Sequence, residues 1–135
     1  MVEPLIFIGT FTLKEGKLED YKQDSEEFAK FIEENEPRLV HFEQYINEDG
    51  TEVTNVQVHP DEDSMMFHMQ LIREHMAQAF ELLDATKSYE VYGTPSDTFV
   101  EQLKQIGGPE VPLIVKSKLA GFNRLPATGV TEPTT

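Results

Sequence analysis

Val53-Thr54-Asn55-Val56-Gln57-Val58-His59, then Pro60-Asp61-Glu62-Asp63-Ser64, then Met65 through Leu83 is the stretch whose reading decides the fold. The first segment alternates with a period of two, the mark of a strand. The second supplies side-chain oxygens and negative charge for the open amides of a helix start. The third places Met65, Met69, Ile72, Met76, Ala79, Phe80 and Leu83 on one face and predicts a single amphipathic helix reaching Leu83. It carries His68 and His75. Seven residues at 100° each bring these two within about 20° of each other around the axis, about 10 Å apart along it.

Upstream, Leu5 to Leu13 reads as a strand with apolar residues on both faces: Leu5, Phe7, Phe11 and Leu13 on one, Ile6 and Ile8 on the other. A half-exposed antiparallel strand alternates apolar with polar, so this one is predicted to be covered twice. Leu18, Tyr21, Ser25, Phe28 and Ile32 follow at helical spacing, and Pro37 stops a helix predicted over Leu18 to Asn35. Leu39 to Ile46 alternates again, Asp49-Gly50 supplies a tight turn, and Glu52 to Val58 returns as the third strand. Downstream, a strand over Ser88 to Tyr92, a helix from Ser96 to Ile106 ended by Gly107-Gly108-Pro109, and a strand over Val111 to Leu119 are predicted.

This order is strand–helix–strand–strand–helix–strand with a further helix and strand. It predicts an α+β, ferredoxin-like antiparallel sheet with helices on one face. One domain spans residues 1–125, and the Thr-, Pro- and Gly-rich tail over 126–135 is expected to be disordered. Helices on one side leave the second apolar face of the first strand bare. Packing against a second copy gives a two-fold homodimer; the third helix or the tail folding over that face is the alternative.

Twenty-five Asp and Glu against eleven Lys and Arg give a net charge of −14. Nucleic acid and anionic membranes reward clustered Lys and Arg, so neither is expected as a partner. No run approaches the ~20 apolar residues of a membrane span. The N-terminus, Met1 to Gly9, lacks the basic start and longer apolar core of a signal peptide, so a cytoplasmic location is expected. The absence of cysteine excludes disulfides, thiolate catalysis and cysteine-ligated metal. No phosphate loop, nucleophile elbow, kinase or zinc-protease signature occurs. No cofactor is expected.

Three segments carry a resemblance. Leu13-Lys14-Glu15-Gly16-Lys17-Leu18-Glu19-Asp20-Tyr21 resembles the "KPGK…F" turn and helix start of the antibiotic biosynthesis monooxygenase family. Glu36-Pro37-Arg38-Leu39-Val40-His41-Phe42-Glu43 is similar to its "EPGC…Y" approach to the second strand. Asp61-Glu62-Asp63-Ser64-Met65-Met66-Phe67-His68 resembles its "D-E-E-A-F-x-x-H" helix start, and His75 falls where that helix often carries a second histidine. The resemblance covers residues 5 to 83. It implies a dimeric α+β barrel with a pocket between the sheet and helices of each subunit. The activities it implies are cofactor-independent oxidation of phenols and quinols, or haem degradation. Where the family often has Glu-x-Trp at the end of its third strand, this chain has Gln57-Val58-His59, and it has no tryptophan.

The candidate site follows from both readings. His68 and His75 are the candidate catalytic residues, because a histidine near neutral pKa can take a phenolic proton. His59 could point into the pocket from the strand end, and Met76 and Phe80 would line an apolar wall. Each of these residues also has a structural reading, as a satisfied histidine or core filler. His41 and Glu43 share a strand face but nothing completes a metal site around them. The leading expectation is a monooxygenase-like enzyme acting on an apolar aromatic quinol or phenol. The alternatives are a non-catalytic small-ligand binder and a haem binder using His75.

Overall fold

The computed structural model describes residues 3–125. The expected disordered tail, 126–135, lies outside the described residues. The chain runs β1 (Leu5–Leu13), α1 (Leu18–Asn35), β2 (His41–Ile46), β3 (Glu52–His59), α2 (Glu62–Leu71), α3 (Arg73–Leu82), β4 (Leu83–Tyr92), α4 (Asp97–Gly107) and β5 (Leu113–Lys116). The five strands form one sheet in the order β2-β3-β1-β4-β5. The first four pair antiparallel in the ferredoxin-like arrangement, and β5 adds a parallel edge beside β4.

Local chemistry accounts for the element ends. In the β2–β3 hairpin Gly50 adopts φ +74°, and the Asn47 side chain accepts from the Thr51 and Glu52 amides. Asp61 caps α2 by accepting from the Ser64 amide at 3.0 Å. Burial raises the Asp61 pKa, but the hydrogen bonds from Arg38 and Ser64 outweigh it and leave the carboxyl below its ordinary value. Ser96 caps α4, and Gly108 at φ +86° closes it.

Four expectations are corrected. The single helix to Leu83 is two helices meeting at Ile72, whose backbone stands at φ −90°, ψ 3°. No glycine or proline marks the break. α2 is anchored over the end of β3, whereas α3 lies beside α1 and delivers the chain straight into β4. Next, β4 begins at Leu83 rather than Ser88. Irregularities in its register against β1 reset the alternation of its first residues, so they do not read as a strand. Finally, β5 is confined to Leu113–Lys116, and β2 starts at His41 rather than Leu39.

All four helices contribute to the same side of the sheet, where Leu5, Phe7, Met65, Tyr89, Val91, Phe99 and Leu103 form the core. On the opposite face Ile6 pairs with Val58 and Ile8 with Val56. These four are half-buried, and among the described residues no helix lies over them. No helix among the described residues is long and apolar enough to cross a membrane.

Candidate functional site

Between the helices and the sheet lies a cavity of about 130 Å³. It approaches the size of an apolar void of about 150 Å³ that admits benzene. Phe7, Phe11, Phe42 and Tyr89 rise into it from the sheet, and Met65, Met69, Met76 and Phe80 close it from the helices. Such a lining favours a flat apolar ring.

Four polar clusters interrupt the apolar wall. The deepest is Glu36 with His68. Glu36 follows the end of α1 and His68 lies in α2, and the carboxylate Oε2 accepts from the imidazole Nδ1 at 2.6 Å. Both side chains are 1% exposed. The other heteroatom of each, Glu36 Oε1 and His68 Nε2, is buried without a hydrogen-bond partner. Leaving a buried polar atom unpaired costs about 1–3 kcal/mol, so the pair keeps two unused valences at a real price in stability.

Behind His68 stands His59, fully buried, with ring centroids 5.7 Å apart. Its Nδ1 lies 2.7 Å from Ser64 Oγ and its Nε2 lies 2.8 Å from Gln57 Oε1. Burial, then the neighbouring His68, push its pKa down to about 3. It is neutral at any physiological pH. Gln57 in turn donates from Nε2 to Asn55 Oδ1 at 2.6 Å, and Asn55 and Gln57 both line the cavity.

The outer end is wetter. His75 Nε2 lies 3.2 Å from Asp24 Oδ2, with these side chains 21% and 20% exposed. The His75 ring lies flat on Phe28, with centroids 3.8 Å apart and planes 3° from parallel. Beside it the Tyr21 hydroxyl donates to Gln44 Oε1 at 2.5 Å. Burial and then the Asp24 charge raise the Tyr21 pKa to about 12, so this phenol stays protonated.

His68, His75, Met76 and Phe80, singled out in the sequence, therefore all line one cavity, although the histidines sit on two helices. His59 does not line it; it stands one layer behind and reaches it through Gln57. Glu36, Asp24, Tyr21, Gln44 and Asn55 were not singled out. Only for Asn55 and Gln57 did a signal exist: with His59 they make a polar row at every second residue of β3. His41 and Glu43 sit on the open face, 3.7 Å apart. Among the described residues no three His, Asp or Glu side chains converge as a metal site. Haem does not fit these residues either. His75 Nε2 is held by Asp24, its ring face is covered by Phe28, and the void suits one aromatic ring rather than a macrocycle.

No protein-family model and no curated sequence matches the chain. Solved structures do. MupZ from Pseudomonas fluorescens is similar at 22% identity and TM-score 0.71, covering 90% of this chain and 95% of that one. SnoaB, a cofactor-independent oxygenase from Streptomyces nogalater, is similar at 15% identity and TM-score 0.58, covering 70% and 96%. A protein provisionally assigned as an antibiotic biosynthesis monooxygenase from Bacteriodes thetaiotaomicron gives 12%, 0.57, 63% and 84%. The chain thus has the fold of the antibiotic biosynthesis monooxygenases. Its similarity to MupZ extends through nearly the whole length of both chains, whereas SnoaB shares a smaller part of this one.

Proposed function

We propose that this chain is a cofactor-independent, monooxygenase-like enzyme acting on an apolar aromatic ring that carries a phenolic oxygen. One observation carries the reading: a buried histidine, oriented by a carboxylate on Nδ1 and unpartnered at Nε2, in the wall of an aromatic cavity. His68 Nε2 takes the phenolic proton, and Glu36 stabilises the resulting imidazolium. The phenolate supplies the electrons for O₂. A phenol unsubstituted at the reacting carbon gives a quinone, with one oxygen atom entering the ring and the other leaving as water. His75 with Asp24 handles protons at the mouth, Met76 and Phe80 hold the ring, and His59 supports the wall from behind. The cofactor-independent oxygenase among the similar structures supports the reaction class.

The test is oxygen uptake with single-ring phenols and hydroquinones. His68→Gln keeps a donor toward Glu36 but offers no base, and uptake should fall at least ~100-fold. Uptake unchanged by this substitution and by His75→Ala would sink the assignment. Ligand-dependent thermal stabilisation without uptake would make the chain a binding protein, and turnover without uptake would leave proton transfer as its chemistry.

The same reading pairs two copies through the open sheet face around Ile6, Ile8, Val56 and Val58. An Ile8→Asp substitution should yield monomers in sedimentation velocity. A wild-type monomer would refute the pairing.

A further inference from the structure

The helix-facing side of β3 carries Asn55, Gln57 and His59 in a row, and Ser64 in the first turn of α2 extends it. The bonds along this row have one direction. His59 is neutral and carries a single ring proton. Gln57 Oε1 faces Nε2 and can only accept, so the proton is on Nε2. Nδ1 is then an acceptor, satisfied by the Ser64 hydroxyl. Gln57 Nε2 donates onward to Asn55 Oδ1. Reversing any single link would set donor against donor or acceptor against acceptor, so the groups turn together or not at all. The row ends in the cavity wall at Asn55, whose Nδ2 has no hydrogen-bond partner among the described residues.

We infer that Ser64 and His59 are positioning residues which, acting through Gln57, hold the Asn55 amide with its N–H₂ group free for the cavity, and so select aromatic ligands presenting an acceptor oxygen, a phenolate or ring carbonyl, at that point. The inference rests on the cavity being the ligand site. It deepens that reading by assigning the polarity of one subsite, and it gives His59 a role that requires no contact with ligand.

Two measurements test it, and neither needs turnover. In the ligand-free protein, ¹⁵N–¹H correlation spectra of the imidazoles should show His59 as the Nε2–H tautomer, and Ser64→Ala should introduce a second population. An Nδ1–H tautomer in the wild type overturns the inference. In the second, ionised 4-nitrophenol and toluene are titrated as probes. Ser64→Ala and His59→Phe should weaken 4-nitrophenolate roughly tenfold, the worth of one hydrogen bond to a charged acceptor, and leave toluene unchanged. His59→Gln, which restores a donor toward Gln57, should recover much of the loss. Equal weakening of both probes, or of neither, overturns the inference. Failure of the oxygenase assignment would show separately, in oxygen uptake.

Discussion

The cavity has a histidine–carboxylate pair at each end, and the two pairs differ in almost everything but composition. Glu36 and His68 stand 2.6 Å apart and are 1% exposed; Asp24 and His75 stand 3.2 Å apart and are about one-fifth exposed. The inner pair faces a medium that screens little, so its attraction is strong but each member depends on the other to be there at all. The outer pair is partly open to water, which screens whatever attraction its members have. On the proposed reading the arrangement divides the work. The inner histidine is held in one geometry with Nε2 unpartnered, as a base for the substrate would need. The outer one, its ring flat on Phe28, would pass protons to solvent at the mouth.

The largest effect that can break this comparison is on stability. Replacing His68 by Ala strands the Glu36 carboxylate in a dry site and opens a void. The loss should be about 3–5 kcal/mol, much of the stability of a typical domain. His75→Ala removes a partly exposed contact to Asp24 and one ring stack and should cost about 1 kcal/mol. Urea unfolding of both variants reads the difference. Equal losses would mean that the two ends do not differ as their burial implies.

The sequence made some of this legible and hid the rest for physical reasons. The bounds of β1 and α1 were readable because their apolar residues keep a clean period and Lys14-Glu15-Gly16-Lys17 and Pro37 interrupt it. The start of α2 was readable because a cap is a local device. The break at Ile72 was not, since tertiary packing rather than a helix breaker makes it. Nor was the orientation of β3. Its valines look like core, yet Val56 and Val58 face away from the helices, and the polar row of Asn55, Gln57 and His59 lies beneath them. Only a second apolar surface, such as that of β1, makes such an inversion sensible. Glu36 was invisible as a site residue because its partner lies 32 positions away and only the fold joins them.

A smaller effect sharpens the same comparison, since it concerns the third histidine, which is the most enclosed and has no carboxylate partner. In the fold the His59 pKa is about 3, against an ordinary value of 6.5. The folded state thus favours the neutral ring. Its contribution to stability is complete above pH 6.5 and declines as the pH falls toward 3, because the unfolded chain binds a proton that the native one refuses. By pH 5 the loss should be about 2 kcal/mol. Carboxylates that are stabilised as anions in the fold add their own losses at lower pH, so the informative window is pH 7 to 5. Within it, wild type should lose stability more steeply than His59→Gln, whose side chain does not titrate. Matching slopes would mean that His59 is already hydrated or charged in the native protein, and the deep end of the cavity would then be no drier than its mouth.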